Sequence, residues 1–377
     1  MKTKQEKLEH LAELKSEAKR YYNYEQSVKL MLNSIYGAFG NEYFYFFNID
    51  LAETITLQGQ DAILYTKKMV NKYFTDFWHL DKETHEKMGL TQIKPIKNPV
   101  GIYIDTDSVY LQFEDVIKNC DWTGDTKTFI LTLYELRLKD YIEKVLDKYA
   151  VKDNADNFLS FELESIARNA IWLAKKKYIQ NLVWRDPNIH LEDLSSVKSK
   201  GFEIIQSSTP QFAREKLQDI MKYIFSQEKV KIDGLVVLLK KIKKEFKLAN
   251  IEQISNSIRI NNYQKYILGD YTQFEIEKGC PINVRAAGYH NYLLNNSTHK
   301  GKYQLLSNGE KVKMYYSLDK SCDVFAYSPG NYPYEFAPSI DYELQFEKCI
   351  IDPINRVIGA IGLQTLDRNL IYTSTLF

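Results

Sequence analysis

The stretch 103–110, Tyr-Ile-Asp-Thr-Asp-Ser-Val-Tyr, constrains this chain most, because it places two carboxylates one residue apart within a strongly β-prone segment. β-branched and aromatic residues favour strands, and they flank the acids over 102–104 and again over 109–113. Two such segments joined by so short a link predict a hairpin. Asp105 and Asp107 are therefore predicted on its tight turn, at the rim of a sheet.

Two aspartates presented this closely repel each other unless a cation lies between or beside them. Oxygen ligands of this kind suit Mg²⁺, whose remaining octahedral positions are filled by water or by substrate phosphates. The alternative is an Asp-Thr-Asp turn selected only because Asp and Thr side chains close turns, and the stretch taken alone favours that alternative. Other parts of the sequence have to decide between the two.

Residues 2–36 contain neither Pro nor Gly. Apolar residues recur there every three or four positions, at Leu8, Leu11 and Leu14, which predicts one long helix that ends at Gly37. The composition of this segment is charged, and it lacks the apolar centre of a signal peptide.

Lys29, Asn33 and Tyr36 fall on one face of the last turns of this helix. An ammonium, an amide and a phenol on one face could hold a triphosphate together with its base or sugar. The alternative is a solvated lysine on a helix that packs through apolar neighbours such as Leu30 and Ile35, and the helix alone favours that alternative.

Four motifs follow one another along the chain: Lys29-x-x-x-Asn33-Ser34-Ile35-Tyr36-Gly37, Asp105-Thr106-Asp107-Ser108, Lys175-Lys176-Lys177-Tyr178 and Ser207-Ser208-Thr209-Pro210, the last preceded by Gly201 and Glu203. In letters, order and spacing they resemble the motifs of the family B DNA polymerases, the first two being similar to motifs B and C. The segment 33–41 resembles most the replicative polymerases of T-even-type phages. A weaker resemblance continues to the end of the chain.

The resemblance implies an α+β fold: a polymerase palm, which is an antiparallel sheet flanked by helices, with a fingers helix and a mostly helical thumb. It implies three domains. Residues 1–41 would form the C-terminal part of the fingers, 42–200 the palm and 201–377 the thumb.

The resemblance also implies DNA-directed nucleotidyl transfer with two Mg²⁺ ions. Asp107 would be a direct metal ligand and Asp105 would assist it, while Glu164 matches an acidic residue beside the metal site. The alternative for Glu164 is an exposed glutamate on a strand. On the helix, Lys29 would contact the triphosphate of the dNTP and Asn33 would support it. Leu30, Ser34 and Tyr36 would shape the pocket for the nascent base pair.

The primer–template DNA would be held by two groups of residues that the resemblance identifies: Lys175, Lys176, Lys177 and Tyr178 in the palm, and Arg259, Asn261, Asn262 and Lys265 in the thumb. A strand pair predicted over 171–184 would send Lys175 and Lys177 to one face and Lys176 with Tyr178 to the other. Such alternation suits a sheet that contacts phosphates and the minor groove. The alternative is a solvated lysine cluster and a polar loop.

The sequence departs from the family in lacking an Asp-x-x-Ser-Leu-Tyr-Pro stretch, which is motif A, and the acidic motifs of the 3′–5′ exonuclease. The resemblance therefore implies the C-terminal subunit of a split polymerase, whose partner chain supplies both. A non-catalytic DNA-binding accessory protein and a shortened chain are the alternatives. Retention of Asp105, Asp107, Lys29 and Asn33 favours catalysis over mere binding. A sliding clamp is left open as a further partner.

Composition limits the remaining function classes. Fifty basic residues against 49 acidic ones give a net charge of +1, so nucleic-acid binding has to rely on local patches. The four cysteines form no Cys-x-x-Cys pair, which argues against a zinc ribbon and predicts a reducing, cytoplasmic location, the host cytoplasm if the gene is a phage's. No apolar segment approaches the ~18 residues that span a bilayer, so no membrane partner is expected.

Apolar and polar patterns along the chain also give several local predictions. They are a strand near Phe44 followed by a helix over 52–70, a surface loop over 78–98, a helix over 127–150, a strand over 161–166 that carries Glu164, and helices over 211–227 and 232–249.

Overall fold

A computed structural model describes residues 4–187, 189–191, 196–269 and 271–366. Contacts divide the chain into two compact units, Met1–Glu162 and Leu163–Phe377. Helices account for 52% of the structure and strands for 16%, and the strand pairs of the described residues are antiparallel in four small sheets. This composition confirms the predicted α+β class. The finer division into fingers, palm and thumb stays a prediction.

The first unit is mainly helical and contains one hairpin. Its elements are α1 (Lys4–Phe39), α2 (Ile49–Lys72), α3 (Lys82–Met88), β1 (Gly101–Asp105), β2 (Ser108–Leu111), α4 (Glu114–Lys118), α5 (Thr126–Leu133) and α6 (Lys139–Lys152). A π-helical turn, Tyr73–Phe77, follows α2, and a second one, Tyr134–Leu138, joins α5 to α6.

The long helix α1 forms as predicted, but it continues through Gly37 to Phe39. A glycine costs a helix only about 1 kcal/mol relative to alanine, so Gly37 alone does not end it. None of its 36 residues is buried. Its apolar side chains are therefore not covered by the described part of the chain.

The core of the first unit lies below the hairpin and between the later helices. Aromatic side chains dominate it, because Phe74, Trp78 and Phe129 are fully buried together with Val116 and Leu133. The α2 helix contributes its inner face to this core. Asn48 caps the start of this helix by accepting a hydrogen bond from the Leu51 amide.

The second unit has more strands. Its elements are β3 (Ser165–Ala174), β4 (Lys177–Arg185), β5 (Ile189–His190), β6 (Val197–Lys200), α7 (Gln211–Ser226), α8 (Ile232–Leu248), α9 (Ile251–Ile254), β7 (Asn256–Arg259), α10 (Tyr263–Tyr266), β8 (Ile267–Leu268), β9 (Glu275–Ile276), α11 (Ile282–Asn295), β10 (Lys311–Tyr316), β11 (Val324–Tyr327), α12 (Tyr342–Phe346) and α13 (Asp352–Ala360). In its sheets β4 lies between β3 and β5 and also pairs with β6, β10 lies between β11 and β7, and β8 pairs with β9.

One hydrophobic core holds the second unit together. The helices α7 and α8 are amphipathic, and they bury Leu217, Ile220, Leu235 and Leu239 completely. All four residues of β11 are buried as well. Each of these elements therefore buries an apolar face within the second unit, in contrast to α1.

Some local predictions are confirmed and others are wrong. The helices over 52–70, 127–150, 211–227 and 232–249 are confirmed within a few residues, the second being interrupted by a π-helical turn. Turns replace the strand predicted near Phe44, and the strand predicted over 161–166 begins only at Ser165.

The predicted surface loop over 78–98 is also wrong, because it contains α3. Asp81 caps this helix by accepting a hydrogen bond from the Thr84 amide, and Gly89 ends it in the left-handed conformation at φ 70°. Trp78 and Leu90 on either side are buried, so the segment belongs to the core.

None of the helices in the described ranges combines the length and the apolar character needed to cross a membrane.

Candidate catalytic hairpin and nucleic-acid interface

The predicted hairpin forms, and it places both aspartates at its turn. Asp105 ends β1 and pairs with Ser108 at the start of β2, so Thr106 and Asp107 are the two turn residues. Thr106 adopts a left-handed conformation at φ 56°, and the Asp107 amide donates a 2.6 Å hydrogen bond to the Asp105 carbonyl. The backbone of the turn thus holds the two side chains close together.

The two carboxylates have different surroundings. Asp105 is only 4% exposed and accepts a hydrogen bond from the Thr106 hydroxyl at 3.2 Å. Asp107 is exposed and accepts one from the Ser108 hydroxyl at 3.1 Å. One acid is therefore fixed beneath the turn, while the other extends into solvent, where an ion or a phosphate-bearing ligand can reach it.

Asn71 of α2 anchors the base of the hairpin. Its Oδ1 accepts a 2.6 Å hydrogen bond from the Gly101 amide, where β1 begins. A Cβ atom at Gly101 would lie 3.0 Å from both Asn71 Oδ1 and Lys67 Cγ, so glycine permits this close approach. Sequence reasoning missed Asn71, because a single polar residue within a helical pattern gives no signal of a contact with a distant strand.

The hairpin alone supplies an incomplete metal site. Mg²⁺ in phosphate-transfer sites is often held by one or two carboxylates together with substrate phosphates, and the oxygen donors of Asp105 and Asp107 fit that chemistry. Within the described residues, however, no group of three or more His, Cys, Asp or Glu residues comes together. The protein groups at the hairpin therefore amount to two carboxylates.

Glu164 belongs to the second unit, immediately before β3. Its carboxylate pairs with Lys198 Nζ at 3.1 Å, and its side chain is largely exposed. The proposed role of Glu164 beside the metals stays a prediction.

The nucleotide candidates lie near the C-terminal end of α1. Lys29 and Asn33 line a shallow depression together with Tyr24, Glu25, Val28 and Leu32. Leu30 is exposed, and its carbonyl accepts a hydrogen bond from the Ser34 hydroxyl at 2.7 Å. The Tyr36 hydroxyl lies 2.7 Å from Thr56 Oγ1 of α2. The structure thus brings Lys29 and Asn33 together, while Tyr36 contacts α2.

The lysine cluster lies at a hairpin turn, contrary to the predicted alternation along a strand. Lys175 and Lys176 are the turn between β3 and β4, and Ala174 pairs with Lys177. Lys176 has a left-handed backbone at φ 61°, so alternation between two faces does not apply there. All three lysines are exposed at this tip.

Tyr178 is not on the exposed face that the alternation predicted for it. It is only 3% exposed, and its ring centroid lies 6.3 Å from that of Trp172 across the strand pair. In this structure its ring supports the base of the turn that carries the lysines.

The thumb candidates lie close together in the chain and are exposed: Arg259 at the end of β7, then Asn261, Asn262 and Lys265. Arg259 Nη1 donates to the Gly309 carbonyl at 3.1 Å, which fixes this arginine against the 307–310 turn. Asn262 is left-handed at φ 60°, so the chain bends sharply between its neighbours.

A buried amide, that of Asn291, holds the loop 259–265 in place. Asn291 of α11 is fully buried, and its Nδ2 donates to both Tyr263 Oη and the Leu306 carbonyl at 2.8 Å, while its Oδ1 accepts from the Leu306 amide. Burial raises the pKa of Tyr263, so the phenol stays protonated. The polar residues next to Tyr263 are thus attached to the core of the second unit.

The family model for DNA polymerase family B matches residues 2–359. This match extends over nearly the whole chain, and the chain therefore belongs to DNA polymerase family B. The family membership predicted from the four motifs is confirmed.

Viral DNA polymerases are among the relatives that the chain is similar to. It is 23% identical over 271 residues to the DNA-directed DNA polymerase of Enterobacteria phage T4, covering 68% of this chain and 28% of that protein. It is 24% identical over 274 residues to the DNA-directed DNA polymerase of Escherichia phage RB69, covering 68% of this chain and 27% of that protein. A protein named DNA polymerase beta from African swine fever virus is 24% identical over 182 residues, and the match covers 48% of this chain and 14% of that protein.

The chain spans little more than a quarter of the length of the two phage relatives, 28% and 27%.

Proposed function

We propose that this chain carries part of the active centre of a DNA-directed DNA polymerase and acts as the C-terminal subunit of a split enzyme. The observation that carries the proposal is the hairpin turn with the buried Asp105 and the exposed Asp107, in a chain of family B. Paired carboxylates beside a DNA-binding surface would repel phosphates unless metal ions lay between them. A role limited to DNA binding would not need them.

The proposed reaction is attack of the primer 3′-hydroxyl on the α-phosphate of a dNTP, with pyrophosphate as the leaving group. Two bound Mg²⁺ ions supply the Lewis-acid chemistry that lowers the pKa of the hydroxyl and stabilises charge on the phosphates. Asp107 would hold metal directly. Asp105, fixed beneath the turn, would orient the loop and assist as a second oxygen donor, and Glu164 would lie beside the site.

Lys29 would bind the triphosphate as a point charge. Asn33, which lines the same depression, would support the lysine, and Leu30, Ser34 and Tyr36 would shape the pocket of the nascent base pair. Because Lys29 would contact the nucleotide in both the ground state and the transition state, it serves binding as well as rate.

Primer–template DNA would be held at two exposed basic or polar sites of the second unit. The first is the turn with Lys175 and Lys176 followed by Lys177, beneath which Tyr178 packs. The second is the thumb loop with Arg259, Asn261, Asn262 and Lys265. A net charge of +1 means that such local sites, and not the bulk charge, have to attract the phosphates.

The partner proposed for this chain is an N-terminal polymerase half that carries motif A and the 3′–5′ exonuclease, in a cytoplasmic setting. The sequence has no motif A of its own. The exposed apolar side chains of α1 offer a surface for such a partner, since monomeric proteins rarely expose large apolar patches. An obligate interface of this kind would bury upwards of ~2,000 Å². The fingers (1–41), palm (42–200) and thumb (201–377) remain the proposed domains.

A non-catalytic DNA-binding accessory protein is the second candidate. The observation that favours it is the hairpin's two-carboxylate donor set, since no third acidic residue joins it among the described residues. The two candidates differ in one measurable property, which is extension of a primer.

The test uses Asp107→Asn in the full chain, co-expressed with the N-terminal half and purified by size-exclusion chromatography. Primer extension should fall by several orders of magnitude, since each ~1.4 kcal/mol of lost transition-state stabilisation is tenfold in rate. Duplex binding should stay nearly unchanged. The control is Asp140→Asn, an exposed aspartate of α6.

Extension by Asp107→Asn within tenfold of the parent complex would exclude Asp107 as a metal ligand. Co-purification and DNA binding without any extension by the parent complex would favour the accessory protein. Full extension by the isolated chain would show that no partner is needed.

A further inference from the structure

Gly201 lies closer to the turn of Lys175 and Lys176, called the lysine turn below, than a residue with a side chain could. It follows β6, which pairs with β4 through Tyr178 and Lys200, and this pairing brings it beside the turn of Lys175 and Lys176. A Cβ atom at Gly201 would lie inside van der Waals contact of the Lys176 carbonyl oxygen and 3.0 Å from Lys177 Cγ. The first of these neighbours is backbone and cannot rotate away.

Two independent constraints therefore require glycine at this position. The second is the backbone of Gly201 itself, which is left-handed at φ +65°. L-residues adopt that conformation at a cost. Gly279 serves as a comparison, because it is also left-handed, at φ +79°, but a Cβ atom added there would have nothing within 4 Å.

The chain on the far side of Gly201 cannot move away either. Phe202, the next residue, is 1% exposed in the core of the second unit. Gln206 Nε2 donates a 3.1 Å hydrogen bond to the Gly201 carbonyl, and Glu203 forms an ion pair with Arg356 of α13. A side chain added at Gly201 would therefore displace the lysine turn and not the segment 201–206.

We propose that Gly201 is a positioning residue that fixes the backbone of Lys176 and Lys177. It thereby fixes the position from which their ammonium groups contact the DNA phosphates. This inference rests on the proposed binding of primer–template DNA by the lysine turn. Gly201 itself touches no DNA, and its effect passes through the Lys176 carbonyl. Lys176 is left-handed at φ 61°, so the turn depends on such support from its neighbour.

The experiment compares Gly201→Ala with Gly279→Ala in the full chain. Both variants place alanine at a left-handed position, but only the first adds a Cβ against the lysine turn. Affinity for a primer–template duplex is measured over a range of salt concentrations, and thermal unfolding is measured in parallel. Gly201→Ala should weaken binding about tenfold and lower the log–log salt slope by roughly 0.9 for each phosphate that the lysines no longer neutralise.

Gly279→Ala should lower the unfolding temperature by less than Gly201→Ala, because only its left-handed backbone is strained, and should leave the salt slope at the parent value. This readout separates positioning from stability, because a merely structural role of Gly201 would not change the slope. Equal slopes for Gly201→Ala, Gly279→Ala and the parent would overturn the proposal.

A third variant, with Lys175, Lys176 and Lys177 all changed to alanine, separates this inference from the proposed function. If it leaves the slope unchanged, the lysine turn does not contact DNA and the proposed function fails at that point. If it lowers the slope while Gly201→Ala does not, DNA binding stands and the positioning role fails.

A fourth variant, Gln206→Ala, is used if Gly201→Ala does not fold. It removes the hydrogen bond to the Gly201 carbonyl and should therefore lower the salt slope by loosening Gly201. An unchanged slope would overturn the proposal.

Discussion

Leu11 of α1 and Leu239 of α8 both lie in amphipathic helical patterns, but Leu11 is 47% exposed whereas Leu239 is fully buried. The same contrast holds for the two helices as a whole, since α1 buries none of its residues and α8 buries four. A helix of 36 residues needs packing along an apolar face for most of its stability. The first unit therefore has an apolar helix face that its described residues do not cover, whereas the second unit buries the apolar face of α8.

The largest expected effect tests this contrast directly. Leu239→Ala should lower the free energy of unfolding by about 2–5 kcal/mol, because it opens a cavity in a close-packed core. Leu11→Ala should change it by no more than about 0.5 kcal/mol. Urea unfolding of the two variants of the isolated chain measures both values, and comparable losses would mean that α1 packs within the chain itself.

The second prediction adds the partner. Changing Leu11 and Leu14 together to glutamate should weaken association with the N-terminal half by at least about 100-fold, because burying each leucine is worth about 1.5–3 kcal/mol. The measurement is the dissociation constant of the two chains, by a titration method that does not depend on activity.

Ser16→Glu is the matched control, since Ser16 lies on the opposite face of α1. It should leave the dissociation constant near the parent value. Equal weakening by the control and the double variant would show that added charge, and not the apolar face, is responsible.

The hairpin and the helices α7 and α8 were predictable from the sequence for clear physical reasons. Residues that favour strands lie on both sides of Thr106 and Asp107, so the short link between the two strands is predicted to be a turn. Apolar spacing alone identifies α7 and α8, and local pattern and packing agree there.

Other features depend on contacts that no local pattern shows. Three consecutive lysines contain no turn signal, yet Lys176 is left-handed, with Gly201 packed against its carbonyl. The α3 helix is hidden by its polar composition, although Asp81 supplies an N-cap that a search for Asp-x-x-Thr could have found. The anchoring amides Asn71 and Asn291 are visible only in the folded chain.

The third prediction contrasts cations of the two units. On α8, Lys243 and Lys247 both pair with Glu343, at 2.5 and 2.7 Å, so each of these cations has a carboxylate partner within the second unit. Lys29 of α1 is exposed and lines a depression. Lys29→Ala should raise the apparent KM for dNTP and lower the incorporation rate, with a loss of about tenfold in kcat/KM.

Steady-state kinetics of the complex with its N-terminal half measure this effect, with Lys19→Ala on the same helix as the control. Unaltered dNTP kinetics together with weaker DNA binding would mean that Lys29 faces the duplex.

The smallest predicted effect concerns two carboxylates, one in each unit, whose pKa values are depressed. In the second unit, hydrogen bonds from Lys302 and Tyr303 lower the pKa of the exposed Glu335 to about 2. In the first unit, burial alone would raise the pKa of Asp81, but hydrogen bonds from the Tyr73 hydroxyl at 2.7 Å and from Thr84, with the Arg137 charge at 2.9 Å, lower it overall. Asp81 thereby ties the first π-helical turn to the second.

Asp81→Asn should lower the free energy of unfolding by about 1 kcal/mol at pH 7, a value kept small because solvent screens this partly exposed group. A depressed pKa in the folded state means that Asp81 stabilises the fold above the ordinary aspartate pKa of about 3.9. That stability is lost as the pH falls through the folded-state pKa. The difference between the variant and the parent should therefore begin to shrink below about pH 4 and vanish once the pH lies below the folded-state pKa, measured by urea unfolding at a series of pH values with Asp140→Asn as control. A difference that stays the same from pH 7 to pH 3 would assign the loss to packing and not to the charge of Asp81.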